Sequence, residues 1–287
     1  MEISVELVRK LINEQFPEFD NLEVKLIEKN GHDNRTFHLG DTMSVRLPSE
    51  EAYAPQIEKE KIWLPKFKKH ISCRIPIPIA NGEASNIYPY PWSINKWIDG
   101  DVLSYKNINN LDDIAIGIAK FLKELQAIDS SDGPAAGSHN FYRGGLLKVY
   151  NDETTNALND LKNILPTDEL KIIWERALES TWDKKPVWVH GDIAVGNILI
   201  KNGKIVAVID FGILGTGDPA CDYVMAWTFF DKKSRIVFKQ RLMCDDETWN
   251  RAKGWALWKA LISYNMNDEN SYATLEAKKT INEILND

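Results

Sequence analysis

Three oxygen-bearing side chains have the types and spacing that transfer of a phosphoryl group requires. Asp192 is followed five residues later by Asn197, and Asp210 comes thirteen residues after Asn197. A carboxylate can orient an acceptor hydroxyl and receive its proton, and carboxylate and amide oxygens are hard ligands that suit Mg²⁺. We therefore interpret Asp192 as the candidate catalytic carboxylate, and Asn197 and Asp210 as candidate ligands of Mg²⁺.

The chain between the two metal-ligand candidates predicts a β-hairpin. Residues 198–200 and 205–209 are runs of aliphatic side chains, and they are joined by Lys201-Asn202-Gly203-Lys204. An Asn-Gly pair between two such runs is a strong signal for a tight turn. Asn197 precedes the first strand and Asp210 follows the second, so we expect both side chains at the same end of the hairpin.

The same segment resembles the aminoglycoside phosphotransferase family of kinase-like small-molecule phosphotransferases. The resemblance is carried by His190-Gly191-Asp192 with Asn197, by Ile209-Asp210-Phe211-Gly212, and by Gly217-Asp218-Pro219 with Asp222. It extends over most of the chain but is specific only within this segment. It implies the same roles for Asp192, Asn197 and Asp210. We interpret His190 as a residue that organises the loop, and Asp218 and Asp222 as structural.

The resemblance implies an α+β, two-lobe fold of the protein-kinase type, with a small antiparallel-sheet N-lobe and a larger, mainly helical C-lobe. We place a nucleotide-binding lobe at residues 1–97 and a catalytic and acceptor-binding lobe at residues 98–287, with a hinge at residues 98–101. Strand-like patterns in the first third and amphipathic periodicity from about residue 111 agree with this division.

Arg46 lies in the third predicted strand, where kinases usually have a lysine. Its guanidinium can grip phosphate and pair with a carboxylate, although Arg46 could also be a plain surface residue. The next predicted helix, residues 53–68, offers Glu58 and Glu60, which point about 200° apart on a helix, so at most one can face Arg46. Glu60 fits the family's E-x-x-x-L pattern through Leu64 and is our choice; a solvated charged face is the alternative.

Further nucleotide contacts are expected in two places. Gly31 and Asn34 lie in a predicted turn between the first two strands, where backbone N–H groups can cover phosphates, although no G-x-G-x-x-G motif is present. The resemblance implies that hinge backbone groups hold the purine edge, which we place near Asn95, Trp97 and Ile98. The expected co-substrate is ATP or GTP, with no preference indicated.

The acceptor site is less clearly marked. Residues 130–150 form a long glycine-rich stretch that could shape an acceptor pocket or be an insertion. The chain has ten tryptophans, several of them in the C-terminal helices that bound the acceptor site in the family. An aromatic, acidic pocket could hold an amine-bearing sugar, but core packing is the default for Trp255 and Trp258. The exposed acidic candidates are Asp231, Asp245 and Asp246.

Net charge and amino-acid composition indicate which classes of binding partner to expect. A net charge of −7 argues against nucleic acid or anionic membranes as main partners. The N-terminus lacks the basic start and apolar run of a signal peptide, and the three widely spaced cysteines do not suggest a disulfide framework. We therefore expect a cytoplasmic protein that acts on a small molecule. The sequence does not indicate an oligomeric state.

These observations predict a nucleotide-dependent phosphotransferase that moves the γ-phosphate of ATP or GTP to a hydroxyl of a small molecule. The acceptor could be an aminoglycoside or macrolide antibiotic, which would make the protein an antibiotic-resistance enzyme. It could also be a metabolite such as an amino alcohol or sugar. A nucleotide-binding pseudokinase scaffold is the alternative from a different functional class.

Overall fold

The computed structural model describes residues 2–27 and 33–287, and the chain divides into two compact units. The first unit comprises Met1–Asp101 and Val206–Gly212, and the second comprises Val102–Ile205 and Ile213–Asp287. The break after Asp101 falls at the end of the predicted hinge. The segment Val206–Gly212, which the sequence placed with the C-terminal lobe, groups instead with the first unit. There the Arg74 amide donates to Val206 O and the Val208 amide donates to Arg74 O, each at 3.1 Å.

The first unit is built on a five-stranded antiparallel sheet in the order β1-β2-β3-β5-β4. Its strands are β1 (Val24–Leu26), β2 (Asn34–Leu39), β3 (Met43–Pro48), β4 (Pro78–Gly82) and β5 (Trp92–Lys96). Four of these strands coincide with predicted strand patterns. Strand β4 was not predicted, because the sequence around Pro76 and Pro78 reads as an extended connector.

The alternation of side chains across this sheet decides which residues face the apolar core. Phe37, Val45 and Ile94 are paired across β2, β3 and β5 and are fully buried, together with residues of helix α1 (Val5–Gln15). Because neighbouring residues of a strand point to opposite faces, Arg46 lies on the other face from Val45. The sheet therefore presents the Arg46 guanidinium away from the core that stabilises it.

Helix α2 (Ala54–Phe67) follows β3 and begins with Pro55 in its first turn, as predicted. Its buried stripe includes Ile57, Glu60 and Leu64, whereas the sequence had placed the exposed Lys61 on this stripe in place of Glu60. Pro65 lies inside the helix, which ends two residues later at Phe67. Burial of a glutamate on an apolar stripe requires a partner, and the site geometry below supplies it.

The second unit is mainly helical and also contains short strands. Its helices are α3 (Leu111–Gln126), α4 (Asn151–Asp160), α5 (Thr167–Leu178), α6 (Met225–Thr228), α7 (Lys232–Leu242), α8 (Asp246–Ser263) and α9 (Tyr272–Leu285). Helix α8 packs against α4, α5 and α9, and α3 packs against α7. Together with the sheet of the first unit, this confirms the predicted α+β fold class. None of the helices in the described part of the chain is both long and apolar enough to cross a membrane.

Five short strands carry the segments with the motif residues. Strand β7 (Val187–Val189) pairs antiparallel with β10 (Gly215–Gly217). Strand β6 (Asp101–Val102) lies where the chain enters the second unit. Strands β8 (Ile198–Lys201) and β9 (Lys204–Val208) are joined by the turn at Asn202-Gly203. Both turn residues have positive φ, 54° and 74°, as a two-residue type I′ hairpin requires, so the predicted turn is confirmed.

A buried ion pair ties helix α8 to the segment that follows β10. The Asp218 carboxylate accepts from the Ala220 amide at 3.0 Å and from Arg251 Nε at 2.6 Å, and both charged side chains are almost completely buried. Asp218 therefore caps the helical turn at Pro219–Asp222, as predicted, and its charge is compensated by Arg251. Burial raises the pKa of Asp218, while Arg251 opposes this shift.

Removal of the Arg251 charge should leave a buried carboxylate without a partner. We expect Arg251→Met to lower the free energy of unfolding by about 3–5 kcal/mol, the usual cost of removing one member of a buried ion pair. Urea unfolding followed by circular dichroism at constant pH measures this loss.

The matched control is Lys171→Met, because Lys171 forms an exposed pair with Glu175 at 3.8 Å. Exposed pairs contribute little, so this variant should unfold like the unmodified protein. Equal stability of Arg251→Met and Lys171→Met would show that the buried pair does not hold the segment in place.

Candidate functional site

The loop that carries Asp192 starts at the end of strand β7. His190 is fully buried, and its Nδ1 accepts a hydrogen bond from the Asp192 amide at 3.2 Å. Gly191 has a φ of 86°, and a Cβ at this position would lie 2.7 Å from Ile213 O. The loop therefore needs glycine at 191, and the His190 side chain supports the Asp192 backbone.

The Asp222 side chain holds the backbone of this loop in place. Its two carboxylate oxygens accept the amides of His190 and Gly191, each at 2.7 Å, and the side chain is fully buried. Burial raises the pKa of Asp222 to about 7, while the two amide donors and the nearby Arg143 favour the ionised form. Asp222 thus braces the catalytic loop, in agreement with its structural interpretation from the sequence.

Asp192 and Asn197 lie together in the second unit. Asn197 is the last residue of a short helical turn, Val195–Asn197, and its Nδ2 donates to both Asp192 O and Asp192 Oδ2 at 2.9 Å. The Asp192 side chain is exposed, so it can contact a bound acceptor. Since the amide nitrogen of Asn197 is held by Asp192, its Oδ1 is the atom suited to a metal ligand.

Arg46, Glu60 and Asp210 lie together in the first unit. Arg46 Nη1 is 2.6 Å from Glu60 Oε1, and Arg46 Nη2 is 2.5 Å from Asp210 Oδ1. Arg46 and Glu60 are nearly buried, whereas the side chain of Asp210 is 43% exposed. The predicted pairing of Arg46 with Glu60 is present, while Glu58 pairs with Lys61.

Burial and charge oppose each other in this cluster. Burial alone lowers the pKa of Arg46, but the carboxylates of Glu60 and Asp210 outweigh it and the pKa is raised. Burial raises the pKa of Glu60, and Arg46 and a hydrogen bond from the Phe211 backbone counteract this. Asp210 has a φ of 66°, a left-handed conformation that aspartate adopts more readily than most residues. The cluster fixes Arg46 between two carboxylates.

Gly31 and Asn34 were also predicted to contact the nucleotide. Gly31 lies outside the described residues. Asn34 begins strand β2 and does not lie in a turn; it is 5% exposed and donates to Gln56 Oε1 at 3.1 Å. The Asn34 side chain is therefore committed to packing between β2 and helix α2.

At the predicted hinge, strand β5 ends just before Trp97. The Asn95 side chain is buried and donates to Ser93 Oγ at 2.9 Å, and the Trp97 amide donates to Thr42 O at 2.8 Å. The Trp97 amide is thus occupied within the sheet. This leaves the Asn95 side chain and the Trp97 amide unsuited to purine recognition, and Ile98 directly follows them.

The donor set at the motif residues suits a hard cation. Asp210 offers a half-exposed carboxylate and Asn197 an amide oxygen, which are the oxygen ligands that Mg²⁺ prefers. Within residues 2–27 and 33–287, no group of three or more His, Cys, Asp or Glu side chains could hold a metal ion by itself.

A cavity of about 400 Å³ in the second unit is lined by Asp192. Its aromatic lining residues are Tyr105, Phe229, Trp255, Trp258 and Tyr272. Its charged lining residues are Arg143, Asp192, Lys259, Glu276 and Lys279. Arg143 comes from the glycine-rich stretch 130–150, so this stretch shapes the cavity. Trp255 and Trp258 are almost fully buried yet line it, so they serve both packing and the cavity wall.

The expected acidic character of this pocket is wrong. The three acidic candidates have other partners: Asp231 accepts from the Ser234 amide, Asp245 accepts from the Thr248 amide, and Asp246 pairs with Lys239. None of the three lines the cavity. The basic lining residues were missed because they lie far apart in the sequence, and only the length of the 130–150 stretch hinted at Arg143.

Comparison with known proteins agrees with this geometry. The model of APH, the phosphotransferase enzyme family, matches residues 23–256. A search of the curated proteins gave no match. Among solved structures, the GDP complex of aminoglycoside 2′-phosphotransferase-IIIa is similar with a TM-score of 0.74 at 17% identity, covering 99% of both chains.

A macrolide enzyme is similar as well. The macrolide 2′-phosphotransferase MphH from Brachybacterium faecium has a TM-score of 0.66 at 16% identity, covering 97% of both chains. At these identities the solved structures support the kinase-like fold, and the family match covers most of the chain. The chain therefore belongs to the APH phosphotransferase enzyme family.

Proposed function

We propose that this protein transfers the γ-phosphate of ATP or GTP to a hydroxyl group of a small molecule. The observation that carries the proposal is Asp192, an exposed carboxylate on a braced loop that lines a cavity of ligand size. The family match over residues 23–256 supports phosphotransfer as the reaction. Activity in the cytoplasm, where both nucleotides are available, is part of the same proposal.

In this mechanism Asp192 orients the acceptor hydroxyl and receives its proton. The hydrogen bond from Asn197 Nδ2 to Asp192 Oδ2 holds the carboxylate in one orientation. His190 does not act as the base, because its buried ring accepts the Asp192 amide. Most of the rate enhancement would come from positioning and charge neutralisation, as in other phosphoryl transfers.

The nucleotide would be held by the first unit. Arg46 binds α- and β-phosphate oxygens, and Glu60 fixes its guanidinium through the 2.6 Å contact. Backbone groups near Asn95 to Ile98 hold the purine, although the Trp97 amide is already used within the sheet. Mg²⁺, when bound, neutralises phosphate charge. Asn197 and Asp210 are its proposed ligands, on the basis of the sequence motif.

The acceptor classes to consider are aminoglycosides, macrolides, and metabolites such as amino alcohols and sugars. A kanamycin complex is known for one structural relative and a streptomycin–ATP complex for another, and these acceptors belong to those proteins. A nucleotide-binding scaffold without turnover is the competing hypothesis. The intact set of Asp192, Asn197 and Asp210 argues against it.

The direct test measures phosphate transfer from ATP and from GTP, with Mg²⁺, to a panel of these acceptors. Asp210→Ala serves as the blank, since it removes a proposed metal ligand. Transfer to one acceptor class that disappears in the blank would support the proposal. Nucleotide binding with no transfer to any compound would favour the scaffold hypothesis.

Loss of the Asp192 carboxylate should remove most of the turnover. We expect Asp192→Ala and Asp192→Asn to lower kcat by at least ~10²-fold, the usual contribution of a positioned acid–base group. Asp160→Asn is a matched control, because Asp160 is exposed at the end of helix α4. Near-normal kcat in both Asp192 variants would remove this carboxylate from the mechanism.

Neutralisation of Glu60 should weaken nucleotide binding. In Glu60→Gln, Arg46 loses a charged hydrogen-bond partner, and we expect the KM for the nucleotide to rise about 10-fold or more. Glu58→Gln on the same helix is the control, since Glu58 is exposed and pairs with Lys61. The same KM change in both variants would show that helix α2 affects binding without the Arg46–Glu60 contact.

A further inference from the structure

The charges that line the cavity do not suit a polycationic acceptor. Apart from Asp192, the lining contains three cations, Arg143, Lys259 and Lys279, and one anion, Glu276. None of the three cations forms an ion pair within the described part of the chain, and Lys279 donates instead to the neutral Tyr105 hydroxyl at 3.1 Å. An excess of like charge repels a cationic ligand and attracts an anionic one.

Two buried hydrogen-bond donors belong to residues of the cavity wall. Arg143 Nη1 and Trp255 Nε1 are buried and have no hydrogen-bond partner among the described residues. Both groups can only donate, so they are satisfied by an oxygen that carries lone pairs. Buried donors are rarely left unpaired in a working site. The Arg143 side chain lines the cavity with its positive charge, which an anionic group would neutralise.

The position of Arg143 relates this group to the reacting centre. Arg143 Nε donates to Gly191 O at 3.0 Å, one residue before Asp192, and its guanidinium carbon lies 5.0 Å from the ring centroids of Trp255 and of Trp258. The guanidinium is therefore fixed both by the catalytic loop and by aromatic faces. A group bound to Arg143 lies close to the hydroxyl that Asp192 orients.

We propose that the acceptor is a hydroxyl compound with an apolar or aromatic body and an anionic carboxylate or phosphate group, and that Arg143 binds the anionic group. This inference rests on the proposed phosphotransfer and names its substrate class. The aromatic wall receives the body of the molecule, and Lys259 and Lys279 add positive charge to the cavity. Polycationic aminoglycosides are poor acceptors for this cavity.

Arg143 also lies near the buried Asp222, whose ionised form it favours. A purely structural role for Arg143 would affect every acceptor equally. A contact with the nucleotide would raise the KM for the nucleotide. A role in acceptor binding changes the affinity for anionic acceptors only, which separates the three possibilities experimentally.

The test compares compounds that share an aromatic body and an alcohol group and carry a second group of different charge. One set is phenyllactate, its methyl ester and phenylalaninol; the other is the phenolic phosphate of tyrosol and tyrosol itself. Binding to the full-length protein is followed by quenching of intrinsic tryptophan fluorescence, because Trp255 and Trp258 line the cavity. Phosphorylation of each compound and of kanamycin is measured in parallel with ATP and GTP. The two sets also distinguish a carboxylate from a phosphate as the preferred anion.

We expect the anionic member of at least one set to bind at least ~10-fold more tightly than its neutral or cationic counterpart, the scale of a charged hydrogen bond. In Arg143→Gln this preference should disappear, with a larger loss of affinity for the anionic compound than for its neutral counterpart. Arg143→Lys should restore part of it. Arg176→Gln, an exposed arginine on helix α5, is the matched control.

The double variant Lys259→Gln, Lys279→Gln keeps the Arg143–Gly191 contact and should reduce the same preference. The proposal can therefore be tested even if the Arg143 variants do not fold. The proposal is wrong if no anionic compound binds more tightly than its counterparts, or if kanamycin is phosphorylated in preference to them. Selective binding of the anions without transfer to any compound would contradict the proposed phosphotransfer and leave the anion site in place. Phosphate transfer without any preference for anionic compounds would support the proposed phosphotransfer and contradict the anion site.

Discussion

The loop that carries Asp192 depends on one buried carboxylate. Asp222 accepts the backbone amides of His190 and Gly191, and these donors lie where water does not satisfy them. Buried amides must be paired, and the carboxylate in turn needs donors to remain ionised when buried. The buried amides of His190 and Gly191 and the buried carboxylate of Asp222 therefore satisfy each other. They fix the backbone immediately before Asp192, and Gly191 provides the left-handed conformation that the turn needs.

Arginines compensate carboxylates in both units. In the first unit, Arg46 lies between Glu60 and Asp210, and in the second unit Arg143 stabilises the ionised form of Asp222. A guanidinium stays charged when buried and offers several donors in a fixed plane, so one arginine can serve a carboxylate and a second group together. Arg46 has both of its terminal nitrogens engaged by carboxylates. Arg143 uses Nε for Gly191 O, and its side chain lines the cavity.

The fold and the acceptor are decided by different parts of the chain. Solved structures of an aminoglycoside and a macrolide phosphotransferase share the fold at 16–17% identity, so the fold alone does not select an acceptor. We propose that in this chain the selection falls to the side chains around the cavity. Their excess of positive charge and their aromatic faces form a surface unlike the acidic one that an amine-bearing sugar would need.

Local physical chemistry made much of this protein readable from sequence. The Asn202-Gly203 turn follows from short-range geometry, because these two residues favour positive φ. The helical period allows at most one of Glu58 and Glu60 to face Arg46, and the E-x-x-x-L pattern of the resemblance selected Glu60. The spacing of the motif residues likewise identified the reaction type. Such features need no knowledge of distant residues, which is why they could be predicted.

Only the tertiary structure decided the sign of the cavity charge. Arg143, Lys259 and Lys279 lie more than a hundred residues apart at the extremes, and no periodicity links them. The unpredicted strand β4 and the grouping of Val206–Gly212 with the first unit also depend on pairing between distant segments. Burial then determines which charged groups are compensated within the protein and which are left to bind a ligand. That outcome depends on packing of the whole chain, and sequence spacing does not encode it locally.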